Sequence, residues 1–407
     1  MFRASMRVPP CGCDSVSQPL DGLRVVEMAN FISGPYTAML LGDLGAEVIK
    51  VEQPGSGDPF RKWGGHKGQA RPQFLAYNRG KKSVVLDVRD PAGSAAYRRL
   101  VATADVVVEN FRPGTMERLG LGYEVVRGEN PKLVYCSISG MGATGPYAHR
   151  PSYENVGLAL SGLWSRLVDM RAPKPIGPNI VDQLTSLYAV YAILGALVEV
   201  GRHGVGRQVF VNMLASALAF MPEPIANYLT LGELGDLDTR ARRSQAYAFV
   251  CADGKPLGIH LSSVPKFWEG LTRVVRRPEL ASDARFSTLK GRIDHYEVLR
   301  DLLQDAFRAE ARGVWLERLD AEDVPAAPIN TIAEALDDPQ VRHLGLVREY
   351  GEGARATPLI GPPISYAGVD DGRVLPPPIL GEHTEEVLAA LGLTGEELAR
   401  LSDPPSS

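Results

Sequence analysis

The first half of the chain alternates short runs of aliphatic residues with stretches of helical spacing. Four of these runs are predicted strands: residues 24–28, 46–51, 105–109 and 132–139. A helix is predicted to open at Gly34-Pro35, because proline is favoured in a first turn, and residues 91–103 have the spacing of an amphipathic helix. Alternating strands and helices indicate an α/β fold with a doubly wound, Rossmann-like parallel sheet. Such a sheet binds ligands at the carboxyl ends of its strands.

The pattern changes after residue 212. Residues 247–251 and 257–261 are two short apolar segments joined by a polar turn, which predicts a β-hairpin. Helices are predicted near residues 264–275 and 296–308, so this part is expected to form a smaller α+β domain. The predicted division is a flexible tail at 1–18, a large domain at 19–229, the small domain at 230–340 and a return to the large domain at 341–407.

Residues 184–200 are apolar on nearly every face of a helix, which predicts a helix buried in a core. Asp182 lies at the first turn of this helix, after a loop rich in proline and glycine. Its carboxylate has two interpretations. It caps the helix by accepting hydrogen bonds from the first N–H groups, or it faces a cleft near the positive end of the helix dipole. This segment alone favours the cap.

Composition and charge narrow the classes of function. The chain has 407 residues, with 44 basic and 48 acidic side chains and a net charge of −4, so no nucleic-acid partner is expected. The longest apolar run, residues 187–198, is too short to cross a bilayer, so no membrane association is expected. Cys136 and Cys251 are expected to be buried free thiols, and Cys11 and Cys13 have no further cluster of metal ligands. Together the cysteines predict a reducing, cytoplasmic location.

Gly140, Gly142 and Gly145 match the dinucleotide-binding fingerprint and follow a predicted strand. The fingerprint functions only where it opens a helix whose N-terminus meets the pyrophosphate. Here a loop that contains Pro146 and Pro151 follows instead. A nicotinamide-dependent dehydrogenase is therefore disfavoured, and a loop beside the active site is predicted.

A series of short motifs extends along the chain in a fixed order. They are GPYTA at 34–38, LGDLGAEVIKVE at 41–52, GSGD at 55–58, KKSVVLD at 81–87, VENFRPG at 108–114, RQ at 207–208 and LGEHT at 380–384. In this order they resemble the family III CoA-transferases, the group that includes formyl-CoA transferase, the carnitine CoA-transferase and the α-methylacyl-CoA racemases. The resemblance covers about residues 19–401.

The resemblance implies transfer of CoA from an acyl-CoA thioester to a free carboxylic acid, with no metal and no permanently bound cofactor. Asp182 corresponds to the nucleophilic aspartate, which forms a mixed anhydride and then an aspartyl-CoA thioester. Tyr153 and Glu154 correspond to the Tyr-Glu pair beside it, and backbone N–H groups of residues 139–142 are candidates to stabilise an oxyanion. CoA contacts are implied for Ser33, Leu86, Arg89, Asn110, Phe111, Arg112, Arg118 and Tyr153. The family also implies an interlocked homodimer.

Some positions depart from the pattern of formyl-CoA transferases. Ile32 replaces a glutamine, Gln53 replaces an arginine, and Pro151 replaces a basic residue that touches CoA. Residues 240–247 contain no counterpart of the run of glycines in the small domain. These changes weaken formate and oxalate as substrates and predict a bulkier or more apolar acyl group, while CoA transfer remains the predicted reaction.

Two other classes of function remain open. The racemases of this family use a histidine together with the aspartate, one proton acceptor for each face of the α-carbon. Tyr153 stands at the matching position, and tyrosine, with a reference pKa of about 10, is a poor base at neutral pH. Of the seven histidines only His149 is nearby. A non-catalytic CoA-binding or scaffold protein would be expected to lack the nucleophile, and Asp182 argues against that class.

Overall fold

The structure, a computed structural model, describes residues 17–63, 71–262, 264–369 and 375–402. Cys11 and Cys13 and most of the predicted tail lie outside the described residues. The chain divides into two compact units. The first comprises Met1–Trp164, Lys174–Pro222 and Leu346–Ser407, and the second comprises Ser165–Pro173 and Glu223–Gly345. The boundaries placed at 229 and 340 from the sequence stay a prediction.

The described part of the first unit holds a sheet of six parallel strands. They are β1 (Arg24–Met28), β2 (Glu47–Glu52), β3 (Lys81–Val85), β4 (Val106–Glu109), β5 (Val134–Ser139) and β6 (Gln208–Asn212). The helices of this unit that precede β6 or directly follow it are α1 (Ser33–Asp43), α2 (Pro72–Asn78), α3 (Pro91–Ala102), α4 (Thr115–Arg118), α5 (Tyr123–Val126), α6 (Glu154–Ser161), α7 (Ile180–His203) and α8 (Met213–Ala219). The strand order is β3-β2-β1-β4-β5-β6, which confirms the predicted doubly wound α/β fold.

Helices cover both faces of this sheet, which explains why its strands are aliphatic at consecutive positions. Val26 of β1 packs in a core with Leu100 of α3. The preceding residue, Val25, points to the opposite face and packs with Leu41 of α1 and Ile193 of α7. One strand therefore supplies apolar side chains to two cores.

Helix α7 is only half enclosed, so the prediction of a fully buried helix is wrong for the single chain. Ala189 and Ile193 pack on the sheet, whereas Leu187, Tyr191 and Val198 are 52%, 78% and 56% exposed. By length and composition alone α7 could span a membrane, and among the described helices no other passes that test. Its packing against the sheet is that of a core helix with one uncovered apolar face.

The second unit contains a three-stranded antiparallel sheet, in the order β7-β8-β9. Its elements are α9 (Pro222–Leu231), α10 (Thr239–Ser244), β7 (Ala246–Val250), β8 (Pro256–His260), α11 (Pro265–Val274), α12 (Leu289–Asp294), α13 (Tyr296–Phe307), α14 (Arg312–Ala321), β9 (Ala326–Pro328), α15 (Ile332–Asp337) and α16 (Pro339–His343). β7 and β8 form the predicted hairpin. The Phe249 ring on β7 stacks on Phe307 of α13, with centroids 4.6 Å apart.

The chain then returns to the first unit. The returning elements are β10 (Val347–Tyr350), β11 (Thr357–Ile360), α17 (Thr384–Ala390) and α18 (Gly395–Ser402). Short 3-10 turns occur at other points along the described chain as well as in the return, at Pro59–Arg61, Leu163–Arg166, Pro278–Ala281 and Gly353–Arg355. Thr384 Oγ1 accepts a hydrogen bond from Val85 N over 3.0 Å, and His383 N donates to Ser83 O over 2.9 Å. The LGEHT motif therefore covers the backbone of edge strand β3.

Candidate active site

A cavity of about 570 Å³ lies at the carboxyl ends of the central strands. Its walls come from the segments that follow β1, β4 and β5 and from the start of α7. The direction of strand succession reverses between β1 and β4, and open α/β sheets bind ligands at such a point. The cavity thus lies at the edge that the sequence pattern predicted for binding.

The segment between β1 and α1 is fixed through its backbone by side chains from elsewhere. The Asn110 side chain accepts a hydrogen bond from Asn30 N over 2.9 Å and donates to Asn30 O over 2.8 Å. Ser186 Oγ, on α7, donates to Ser33 O over 2.8 Å. Phe31 has a positive φ of 64°, which is uncommon for a non-glycine residue and often marks a functional site. Ser33 and Asn110, two predicted CoA contacts, both line the cavity.

Four charged side chains without solvent exposure lie next to this segment and are called the charged quartet: Glu27, Lys50, Asp58 and Lys81. Lys50 Nζ lies 2.6 Å from Glu27 Oε1 and 2.9 Å from Asp58 Oδ2, and Lys81 Nζ lies 2.6 Å from Glu27 Oε2. Burial opposes the charge of Lys50, but the carboxylates around it raise its pKa above the ordinary value. Burial lowers the pKa of Lys81 to about 8. The positive charge of Lys50, which shares Glu27 with Lys81, also lowers this pKa, whereas the charge of Glu27 raises it.

The charged quartet binds the backbone on both sides of Phe31. Lys50 Nζ donates to Ala29 O over 2.9 Å, and Lys81 Nζ donates to Pro35 O over 2.8 Å. Between them, Phe31 N donates to Asp58 Oδ1 over 3.4 Å. Removing one partner of a buried ion pair typically costs about 3–5 kcal/mol, so these contacts hold the cavity wall in one conformation.

Aromatic rings give the cavity an apolar wall. The Phe31 ring meets the rings of Phe60, Trp63 and Tyr153 edge-on, with centroids 5.4, 6.3 and 5.8 Å apart. Tyr153, a predicted CoA contact, is 64% exposed, and all four residues line the cavity. Phe31, Phe60 and Trp63 were not predicted from the sequence as site residues, because isolated aromatic residues have no distinguishing local pattern.

Asp182 is the third residue of α7, and the N-cap is Asn179. The alternative in which Asp182 caps its own helix is therefore wrong. The carboxylate of Glu154, the first residue of α6, accepts hydrogen bonds from Val181 N over 2.9 Å and Asp182 N over 2.8 Å. Glu154 thus satisfies the first amides of α7 from another helix, and Asp182 lines the cavity.

The environment of Asp182 favours its protonated form. Burial, reinforced by repulsion from the negative charge of Glu154, raises the pKa of Asp182 to about 7. Perturbed carboxylates in clefts are frequent at functional sites. A carboxylate with a higher pKa is also more basic once ionised, which suits a nucleophile.

The loop after β5 contacts the cavity but opens no helix. After Gly140 the next described helix is α6, which begins at Glu154, in agreement with the prediction that the glycine pattern is not a dinucleotide fingerprint. A Cβ on Gly140 would lie 2.2 Å from Ser152 Cβ, so this close approach requires glycine. Gly142 N donates to Ser139 Oγ over 3.2 Å, so this amide is already engaged and is a poor candidate to stabilise an oxyanion.

The predicted CoA contacts divide into two groups in the structure. Ser33, Asn110, Phe111, Arg112 and Tyr153 line the cavity together with the predicted catalytic residues Asp182 and Glu154. Leu86, Arg89 and Arg118 are not among the lining residues. Leu86 is buried in the core, Arg89 pairs with Asp87 over 2.9 Å, and Arg118 donates to Thr115 Oγ1 over 2.9 Å. The cavity also contains Arg150, which the sequence analysis did not identify.

Comparisons with known proteins agree with this geometry. The family model of CoA-transferase family III matches residues 20–384. A succinyl-CoA:glutarate CoA-transferase of Mus musculus is 35% identical, covering 93% of this chain and 88% of the relative, and a succinyl-CoA–D-citramalate CoA-transferase of Chloroflexus aurantiacus is 36% identical, covering 94% and 97%. The crystal structure of a CAIB/BAIF family protein from Brucella suis has a TM-score of 0.83 at 34% identity, covering 92% of this chain and 100% of that chain. The chain therefore belongs to CoA-transferase family III and is a CoA-transferase.

Proposed function

We propose that the enzyme transfers CoA from an acyl-CoA thioester to a free carboxylic acid through Asp182. The Asp182 carboxylate attacks the thioester carbonyl carbon, and the C–S bond breaks to give a mixed anhydride and the CoA thiolate. The thiolate attacks the Asp182 carbonyl carbon, which releases the donor acid as a carboxylate and leaves an aspartyl-CoA thioester. The acceptor carboxylate repeats these steps in reverse and leaves as its own CoA ester. No net proton or electron is exchanged.

One observation carries this proposal: of the two carboxylates that line the cavity, Glu154 binds the first amides of α7 and Asp182 does not. Glu154 accepts the hydrogen bonds of the Val181 and Asp182 amides, so the Asp182 carboxylate is not needed to cap the helix. Asp182 lines the cavity, and its pKa of about 7 leaves a substantial ionised fraction of its carboxylate at neutral pH. Position and basicity together suit attack on a thioester.

A dicarboxylic acid is the proposed acceptor class. The names of two relatives give glutarate and D-citramalate as acceptors, with succinyl-CoA as donor. The Ile32 side chain and the wall that contains Phe31 make part of this cavity apolar, which suits a carbon chain longer than that of oxalate. We therefore propose a dicarboxylate of about four or five carbons, with its reacting carboxylate at Asp182.

The experiment that tests the reaction is trapping of the covalent intermediate. Incubation with an acyl-CoA donor and no acceptor should leave CoA attached to Asp182, in a form that hydroxylamine cleaves and borohydride reduces. Asp182→Asn should fold and bind CoA esters but form no adduct. Asp301→Asn, at an exposed aspartate of α13, serves as the matched control and should form the adduct normally. Transfer by Asp182→Asn at near wild-type rate, or an adduct mapped to another residue, would show that Asp182 is not the nucleophile.

The racemase alternative gains no support from the cavity. Racemization requires a second proton acceptor opposite the aspartate, and no histidine lines the described part of the cavity. Tyr153, at the corresponding position, is a poor base at neutral pH. Deuterium exchange at the α-carbon of an acyl-CoA, faster than CoA transfer, would restore this alternative.

The assembly and location that accompany this function are also proposals. We propose a homodimer, because α7 exposes a row of large apolar side chains that a second copy would cover. A reducing compartment such as the cytoplasm suits the buried free thiols of Cys136 and Cys251.

A further inference from the structure

Arg150 is a charged cavity residue without a role in the reaction described above. It lies in the loop between β5 and α6 and lines the cavity. Its guanidinium carbon is 3.8 Å from the centroid of the Tyr147 ring, a stacking contact that orients the group. Within residues 17–63, 71–262, 264–369 and 375–402, Arg150 forms no salt bridge. Arg127, which also lies over a tyrosine ring, is by contrast paired with Glu124.

Two arginines, Arg112 and Arg150, line the described cavity from segments that follow different strands. Arg112 follows β4, and its neighbour Gly114 lies close to Arg118, since a Cβ there would be 3.3 Å from Arg118 Nη1. Arg150 follows β5 and precedes Glu154 by four residues, and Glu154 is bonded to the Asp182 amide. Arg150, Glu154 and Asp182 thus line the same cavity, which Arg112 also lines from the segment after β4, whereas Arg118 is not among the lining residues.

An acyl-CoA molecule carries groups that need a cation at each of its two ends. The phosphates need cations at one end, and the resemblance assigns Arg112 and Arg118 to CoA. The acyl end must lie at Asp182. A second carboxylate on the acyl chain would be repelled by Asp182 and Glu154 unless a cation lies near it, because charges interact strongly in a partly desolvated cavity. Arg150, which forms no salt bridge within the part of the chain that the structure describes, lines the same cavity as Asp182, and the resemblance does not assign it to CoA.

We infer that Arg150 determines specificity for dicarboxylic acids by pairing with the carboxylate of the substrate that does not react. This inference rests on the proposed function and names the residue that selects its acceptor class. The planar guanidinium matches a carboxylate through two parallel N–H···O bonds. The Tyr147 ring holds the guanidinium in place, so less side-chain freedom is lost when the acid binds.

The test separates the acceptor step from the donor step. The enzyme is charged with butyryl-CoA, which lacks a second carboxylate, and the isolated enzyme–CoA thioester is then discharged with glutarate or with pentanoate, acids of equal carbon number. The wild type should prefer glutarate. Arg150→Gln should form the thioester normally but lose about 10- to 100-fold in the rate with glutarate at subsaturating concentration, the size expected for a charge-assisted hydrogen bond. The rate with pentanoate should change little, and Arg150→Lys should recover part of the loss.

Arg127→Gln is the matched control, because Arg127 lies 5.7 Å from the centroid of the Tyr123 ring and is not among the cavity-lining residues. It should keep the wild-type preference. An unchanged preference in Arg150→Gln would overturn the inference and leave the proposed function intact. Equal slowing with both acids, or failure of the variant to form the thioester, would place Arg150 on CoA and overturn the inference as well. If the wild type itself forms no thioester, the proposed function fails and the inference fails with it.

Discussion

At the scale of single residues, the protonation of Asp182 couples the candidate active site to the stability of the fold. Burial and the charge of Glu154 raise the pKa of Asp182 from 3.8 to about 7. The folded state therefore holds a proton that the unfolded state releases between pH 4 and pH 7. Folding stability from this group is full below pH 4, falls as the pH rises through that window, and stays low above it. The reactive carboxylate lowers stability at neutral pH, a common feature of active sites.

Asp182→Asn is therefore expected to stabilise the protein at alkaline pH. Asparagine carries no charge at any pH, so the variant avoids the cost of ionising a buried group. Between pH 5 and pH 8, its free energy of unfolding should gain about 2–3 kcal/mol relative to wild type, from about 1.4 kcal/mol for each pH unit in the window. Denaturant unfolding at the two pH values measures this difference, with Asp301→Asn as the control that should show none. A difference that does not change with pH would mean that the pKa of Asp182 is ordinary.

At the scale of elements, the sequence predicted features that neighbouring residues determine and missed features that contacts between distant segments determine. The strand predicted at 24–28 is β1 (Arg24–Met28), because a buried parallel strand is a continuous aliphatic run. The long apolar helix was predicted from residue 184 but begins at Ile180. Its first turn is held by Glu154, 27 residues before Val181, and no local pattern signals such a contact. The same holds for Phe31, whose left-handed backbone is imposed by Asp58 and by neighbouring segments.

The link between α6 and α7 predicts a pH effect of Glu154→Gln. Glutamine keeps one acceptor oxygen for the amides of α7 but loses the negative charge next to Asp182. Losing one of the two hydrogen bonds should cost about 1–3 kcal/mol of stability. The pKa of Asp182 should fall but stay above its ordinary value, since burial is the larger cause of the shift. Single-turnover formation of the thioester should therefore reach half its maximal rate at a lower pH than in wild type.

An unchanged midpoint in Glu154→Gln would show that the charge of Glu154 does not act on Asp182. Loss of the fold would show instead that the hydrogen bonds to Val181 and Asp182 dominate. Circular dichroism and denaturant unfolding distinguish the two outcomes.

At the scale of the whole molecule, the uncovered face of α7 predicts the state of association. Exposed Leu187, Tyr191 and Val198 lie on a helix whose other face packs on the sheet, and soluble monomers seldom expose apolar patches of this kind. Light scattering at micromolar concentration should give the mass of a dimer, and dilution should not change it. A stable monomer at that concentration would contradict the prediction.

The charged quartet also affects how substitutions can change the range of acids that the cavity accepts. Its contacts to this part of the cavity wall are with backbone atoms: Ala29 O and Phe31 N between β1 and α1, and Pro35 O in the first turn of α1. The charged quartet therefore holds this stretch whichever side chains it carries, while Phe31 and Ile32 add packing against Phe60. An apolar residue of another size at Ile32, which is 5% exposed, should change the shape of the cavity while these backbone contacts keep the path of the chain. The contacts that fix the backbone are thus different from the side chains that line the cavity. Position 32 is therefore a suitable place to redesign the acyl selectivity.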